Sequence, residues 1–257
     1  VNSASMGTLD FSVLAVNNIT PFSPSVGVLT LPYVIQSAEE AKKLVTGDVG
    51  KELTANTVRD AGVRIVGWTF TGFRVLTNSK KPVKTLADLQ GLKIRVPKNE
   101  IMISSYQAWG INPTPMAWGE TFTALQQRVV DGQDNPLPNV QNMKFFEVMG
   151  QIVLTSHLVA FDLLTVNLKT WNSMSPAKQR AFQAASDKAM AWSAAEHTKR
   201  ESELAEGFRK QGLEVYVPNI PAFREYAQKV YLASDEAAFV TGVVIPVDGG
   251  LTMGLGS

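Results

Sequence analysis

Apolar and polar positions change period several times along the chain, and each change marks an element. Residues 9–16 (Leu-Asp-Phe-Ser-Val-Leu-Ala-Val) read as a mostly buried strand behind the turn-forming Gly7-Thr8, and residues 26–31 form a second apolar run before Pro32. From Ser37 the period becomes helical: Ala38, Ala41, Leu44 and Val45 recur at three- and four-residue spacing until Gly47. Residues 49–61 predict another helix, which leads through Gly62 into a strand at 63–68. Strands are expected at 72–77 and 92–96, with Thr85-Leu-Ala-Asp88 between them resembling a capping box on a single turn that ends at Gly91. Residues 100–109 look helical up to Gly110, and Pro113 and Pro115 frame an extended segment. Residues 120–128 form an amphipathic helix with Phe122, Leu125 and Val129 inward, ended at Asp131-Gly132.

Strands alternating with helices imply an α/β fold with largely parallel pairing. The longest helical pattern opens at Ser175-Pro176, an N-cap followed by Pro at the first helical position. Phe182, Ala185, Ala189 and Trp192 mark one face, and Leu204 and Phe208 extend it towards Gly212. At ~1.5 Å per residue this helix is ~50 Å long, more than the width of a small domain, and is expected to span two lobes.

The charge balance narrows the possible functions. Twenty-four basic residues stand against 23 acidic ones in 257 positions, for a formal net charge of +1, so the lysine and arginine excess of a general nucleic-acid binder is missing. The chain has no cysteine, which excludes disulfides, thiolate catalysis and Cys-ligated metal centres. Pro21, Pro24 and Pro32 keep the apolar N-terminal stretch short of the ~18–20 residues of a membrane span. No Lys or Arg precedes Lys42 or follows Lys229, so both ends differ from the body.

Catalytic constellations are missing. His157 and His197 have no partner at metal-ligand spacing. His197, beside Glu196 and Lys199 on the long helix, reads as a solvated surface residue, and His157, behind Thr155-Ser156 at the end of an apolar strand, as structural or pocket-lining. There is no Gly-x-Ser-x-Gly elbow and no Gly-x-Gly-x-x-Gly after a strand; Gly47-Asp-Val-Gly50-Lys51-Glu52 fails as a phosphate loop in spacing and in its last residue. Asp131 and Asp134 fall where turns commonly carry Asp for backbone reasons.

Binding-type residues remain. In Leu92-Lys-Ile-Arg-Val-Pro97, alternation puts Leu92, Ile94 and Val96 on one face and Lys93 with Arg95 on the other. Pro97 ends the ladder, which leaves Arg95 near the C-terminal end of the strand, where open α/β sheets bind ligands and a guanidinium grips a carboxylate with two donors. On this segment alone a snorkelling or surface arginine is the better reading. Arg74 poses the same choice; Asn135 reads as a turn amide or a ligand donor, and Trp118 as core or pocket wall.

Taken in order, Met6-Gly-Thr-Leu-Asp10, Gly72-Phe-Arg74 with Thr77-Asn78, Gly91-Leu-Lys-Ile-Arg-Val-Pro97, Asn112-Pro-Thr-Pro-Met116, Ala124-Leu-Gln-Gln127 and Val130-Asp-Gly-Gln-Asp-Asn-Pro136 resemble the substrate-binding proteins of tripartite ATP-independent periplasmic (TRAP) transporters, the DctP-type family. The resemblance implies a two-lobed periplasmic-binding-protein-like α/β fold that closes on a small organic acid (a dicarboxylate, sugar acid or keto acid) and delivers it in the periplasm to membrane permease subunits. Neither cofactor nor catalysis is implied. Lobe I is expected at 1–71 and 161–200, lobe II at 72–160 and 201–231. By the resemblance Arg95 holds the ligand carboxylate, Asn135 and Arg74 contact the ligand, Trp118 is a pocket aromatic, and His157 and Phe161 lie on a lobe crossing near the cleft.

The resemblance also implies that the chain lacks its signal peptide and the first two strands of lobe I, leaving a sheet edge uncovered and the cleft incomplete. From about residue 232 the text is similar instead to the C-terminal end of short-chain dehydrogenases, ending in Val-Val-Ile-Pro-Val-Asp-Gly-Gly250 with no basic residue. A short-chain dehydrogenase is thus the alternative function. It lacks support in the body of the chain, where neither the Gly-rich nucleotide loop nor a Tyr-x-x-x-Lys pair occurs; Tyr226-Ala-Gln-Lys229 has the wrong spacing.

Overall fold

The computed structural model of the protein describes residues 1–232, so the dehydrogenase-like tail beyond Leu232 lies outside the described residues. The chain runs α1 (Asn2–Ser5), β1 (Phe11–Ala15), α2 (Ala38–Thr46), α3 (Asp48–Ala61), β2 (Val63–Asn78), β3 (Lys93–Val96), α4 (Glu100–Ala108), β4 (Asn112–Pro115), α5 (Thr121–Gln126), β5 (Gly132–Asn135), α6 (Leu137–Asn142), β6 (Gln151–Asn167), α7 (Leu168–Ser173), α8 (Pro176–Lys210), β7 (Glu214–Tyr216) and α9 (Ile220–Leu232). Among the described residues the strands form one seven-stranded sheet in the order β1-β6-β2-β5-β3-β4, with β7 added to β6.

The sheet is mixed, not largely parallel. β2 and β6, 16 and 17 residues long, run antiparallel to each other, and β1 and β5 pair antiparallel with them. Parallel pairing is confined to β3 with β4 and β5, and to β6 with β7. The two strands expected at 63–68 and 72–77 are a single strand because its glycines are absorbed as irregularities: the ladder to β6 shifts register between Ile65 and Gly67 and between Phe70 and Gly72, where Gly72 takes φ +114°.

Four clusters of buried side chains lie along these two strands, the smallest being Val66 and Val166 with Trp171. Val63, Ile65, Phe70, Val159 and Phe161 belong to the first, with Ile19, Val26 and Leu29. Leu76, Val153 and Leu158 belong to the second, with Leu92, Ile94, Tyr106 and Trp109, and Val75 and Ile152 to the third, with Leu125, Val140 and Phe208. The apolar run expected at 26–31 lies largely in a 3₁₀ helix over residues 24–30, which Pro24 opens and which packs Val26 and Leu29 into the first cluster.

α8 opens at the expected Ser175 cap, whose hydroxyl accepts from Lys178 N. Its contact face holds as expected at Phe182, Leu204 and Phe208 but is rotated in the middle: Trp192 is exposed, whereas Ser186 is buried over Gly67 and donates to Val66 O at 2.8 Å. A Cβ on Gly67 would stand 2.5 Å from Ser186 Oγ, so small residues let the helix lie close on β2 and set its rotation. α5 also ends early. Arg128 adopts φ +57°, which turns Val129 out to solvent and sends Val130 into the core instead.

β5 crosses β2 very closely: a Cβ on Gly132 would lie 2.0 Å from Thr77 O. Gly132→Ala is therefore expected to cost about 1–3 kcal/mol by forcing the strands apart. A melt followed by circular dichroism should fall by roughly 3–10 °C, against no change for Gly150→Ala, whose Cβ meets open space. Equal melting temperatures for the two variants would refute the close crossing.

Candidate binding cleft

Because β3 is parallel to both β4 and β5, the C-terminal ends of three strands open on one edge of the sheet. Two of these strands stop at a proline, Pro97 after Val96 and Pro136 after Asn135. A cleft of about 730 Å³ lies at this edge, walled on one side by Asn18, Thr20, Phe22 and Gly27 and on the other by Arg95, Asn99, Ile101 and Trp118.

Arg95 is the cleft's buried cation. The alternation puts Leu92, Ile94 and Val96 wholly in the core and leaves Lys93 exposed, but Arg95, on the same face as Lys93, is only 4% exposed. Its Nε and Nη2 donate to Met116 O at 3.2 and 2.8 Å, which occupies one edge of the guanidinium and leaves the end-on Nη1/Nη2 fork for a ligand. The Trp118 ring stands beside it, with the guanidinium carbon 5.5 Å from the ring centroid, and rests edge-on against Phe145. Among the described residues no carboxylate pairs with Arg95. Burial and the nearby Arg74 lower its pKa to about 10, so it is charged at neutral pH.

Arg74, by contrast, is already matched. It is buried on β2, and its guanidinium binds both the side chain and the carbonyl of Asp134. Asp134 is also buried, in a strand and not in the turn expected for it. Burial alone would raise its pKa, but the Arg74 charge and the hydrogen bond from His157 outweigh that and hold it well below the usual carboxylate range.

His157 joins this network at an irregularity. On β2 Arg74 faces Leu158 and Leu76 faces Val153, so Val75 alone stands against Leu154, Thr155, Ser156 and His157 of β6, where Ser156 is forced to φ +44°. Tyr33 takes up the orphaned carbonyls: its N–H donates to His157 O at 2.8 Å and its hydroxyl to Thr155 O at 2.9 Å. The bulge turns the His157 ring into the protein, with Nδ1 2.7 Å from Thr155 Oγ1, Nε2 2.6 Å from Tyr106 Oη, and Asp134 Oδ2 at 3.5 Å.

The structure thus brings Arg95 and Trp118 together in the cleft, and Arg74 with His157 around Asp134. Asn135 is buried beside them, its amide donating to Gln133 Oε1 at 2.6 Å and accepting from Asn139 at 3.4 Å. Phe161 lies in the core, edge-on to Trp68. The β6 strand does not end at His157 but continues to Asn167. Sequence reasoning missed Asp134, Tyr106, Tyr33 and Asn99; the Pro136 that follows Asp134-Asn135, matching Pro97 after Arg95-Val96, was the available sign that Asp134 lies at a strand end.

A family model described as DctP, bacterial extracellular solute-binding protein, family 7, matches residues 1–236. The 2,3-diketo-L-gulonate-binding periplasmic protein of Escherichia coli is 32% identical over 209 residues, covering 81% of this chain and 63% of the relative. The sialic acid-binding periplasmic protein of Vibrio cholerae is 29% identical over 230 residues, covering 90% and 71%. A crystal structure of a TRAP periplasmic solute binding protein from Polaromonas, bound to D-erythronate, is similar with a TM-score of 0.88 at 31% identity, covering 94% of this chain and 78% of that one. Another, from Sulfitobacter with bound β-D-galacturonate, gives 0.86 at 28% identity, covering 93% and 80%. The chain spans between 54% and 63% of the length of three of the curated relatives.

Burial lowers the His157 pKa below its ordinary 6.5, against the opposing pull of Asp134, so the folded ring is neutral at pH 7. The unfolded chain takes up this proton near pH 6.5 and the folded chain only at lower pH, so the contribution to stability is complete above 6.5 and is lost as the pH falls below it. The melting temperature of the wild type should fall more steeply than that of His157→Gln between about pH 7.5 and about pH 5.5. Parallel curves would show that the ring is not held neutral.

Proposed function

The chain belongs to the DctP family, the bacterial extracellular solute-binding proteins of family 7, and from that premise we propose that it is the periplasmic receptor of a TRAP transporter. It captures a small organic acid non-covalently and hands it to the permease subunits in the membrane. Arg95 anchors the carboxylate through its free end-on fork, Trp118 walls the site, and Asn135 and Arg74 complete the polar surroundings. In this reading the protein divides into lobe I (1–71 and 161–200) and lobe II (72–160 and 201–231), which close on the ligand about β2, β6 and α8.

The observation that carries this reading is the buried Arg95 charge, which pairs with no carboxylate among the described residues, in a cleft of about 730 Å³. A guanidinium in that position is short of one anion, and exclusion of water strengthens its attraction for a carboxylate. Hydroxylated monocarboxylates fit the one buried charge; the other ionisable residues of the lining, Lys98 and Glu100, are exposed. Solutes of that kind, D-erythronate and β-D-galacturonate, occupy the similar structures. The polar lining from Asn18, Thr20, Asn99 and Ser104 suits the hydroxyl groups. The dehydrogenase alternative gains nothing from the family match, which runs through residue 236.

A thermal-shift screen with D-erythronate, D-galacturonate, pyruvate and succinate tests the assignment. Ligands that stabilise the wild type should lose their effect on Arg95→Ala, with Kd raised about 100-fold or more. Arg95→Lys keeps the charge but not the fork and should bind at least about tenfold more weakly. Undiminished shifts in Arg95→Ala would reject Arg95 as anchor, and nicotinamide-dependent turnover would favour the dehydrogenase.

A further inference from the structure

The two walls of the cleft are tied together beside the ligand space. Asn99, the residue that caps α4, is 1% exposed, and its Oδ1 accepts from Met102 N at 2.9 Å. That bond fixes the amide orientation, because the flipped amide would set two donors against each other. The Nδ2 group therefore points to the opposite wall, where it donates to Thr20 Oγ1 at 3.0 Å and Thr30 Oγ1 at 3.4 Å.

The opposite wall is arranged to receive it. Each hydroxyl has one hydrogen, and both are spent within their own segment: Thr20 donates to Asn17 O at 3.0 Å and Thr30 to Gly27 O at 2.7 Å. Their lone pairs are left to accept from Asn99. One turn away the same walls meet again, and closely: a Cβ on Gly27 would stand 2.7 Å from Ile101 Cδ1. Thr20, Gly27, Asn99 and Ile101 all line the cleft, so this closure borders the solute without needing to touch it.

We propose that Asn99, Thr20 and Thr30, with Ile101 seated on Gly27, form a latch that holds the two walls of the cleft together. The proposal rests on the reading above that the cleft opens and closes. Opening separates Asn99 from both hydroxyls and lifts Ile101 off Gly27, whereas the cap on α4 and the two local threonine bonds survive unchanged. The latch thus favours the closed arrangement before any acid arrives, and Arg95 adds the solute-dependent part.

The test uses the ligand-free chain, so it stands apart from the acid screen. The absence of cysteine allows spin labels at Lys43→Cys and Gln127→Cys, exposed positions on either side of the cleft, and the label separation reports closure. Asn99→Ser keeps a helix cap too short to reach Thr20, and Thr20→Val/Thr30→Val removes the acceptors at nearly constant shape. Each should shift the open-to-closed ratio about tenfold towards open. Combining them should add nothing further, because both remove the same bonds; general loosening of the fold would be additive. Gly27→Leu, which leaves all three polar groups in place, should wedge the walls apart to the same long separation. Distance distributions that overlay the wild type, additive shifts, or a wild type that is open throughout would overturn the latch, whatever the acid screen finds.

Discussion

A buried guanidinium has to be matched by an anion or it destabilises the fold around it, and this protein buries two of them close together. Arg74 is matched permanently: Asp134 is itself buried, with its pKa depressed by that partnership, and it gives the arginine both a side-chain and a backbone acceptor. Among the described residues Arg95 is matched by a carbonyl alone, which satisfies donors but not charge. The consequence is an asymmetry. With Arg74 neutralised internally, Arg95 is left as the unmatched buried charge, and the pull of Asp134 partly offsets the repulsion between the two arginines.

That pairing depends on how the long strands are broken. Regular pairing of β2 with β6 would leave no room for a polar cluster, since alternate residues would simply pack into the clusters on either face. Crowding Leu154 to His157 against Val75 ejects a short loop from the ladder at the cost of a left-handed Ser156, on the order of 1 kcal/mol. Tyr33 recovers part of that cost through two hydrogen bonds to the freed carbonyls. It also couples the segment before α2 to the middle of β6. The same irregularity that turns His157 towards Asp134 therefore fixes the chain leading from the latch segment, so the buried network and the cleft wall share one support.

Local rules were legible in the sequence where they acted on a few neighbouring residues. The Ser175 cap, the Thr85-Asp88 capping box, the termination at Gly47 and the Leu92, Ile94, Val96 face all follow from side chains within a turn or two. Arg95 could be placed at a strand end because Pro97 is its second neighbour. What could not be read was set by pairing across long separations. Residues 69–71 before Gly72 look like a strand break until β6 is known to lie alongside and absorb the irregularity, and Asp134 looks like a turn acid until Arg74, sixty positions earlier in sequence, is seen against it. The rotation of α8 was likewise invisible, because it depends on Ser186 fitting over a glycine of a different element.

On the proposed reading, the cleft distinguishes charge from shape by dividing the two tasks between its walls, with charge recognition assigned to Arg95. Charge recognition resides on one wall, in Arg95 at the end of β3, and the opposite wall contributes Asn18, Thr20 and Phe22, none of them ionisable. In that reading an acid engages the cation with the cleft open, and only a solute whose remaining groups suit the opposing polar and aromatic surface lets the walls approach to the separation at which Asn99 reaches Thr20. A solute too long for about 730 Å³ would bind Arg95 and still hold Ile101 away from Gly27. On the proposed reading, closure then becomes the step at which size is checked after charge has been recognised, and a bond-forming residue in the cleft would serve no purpose.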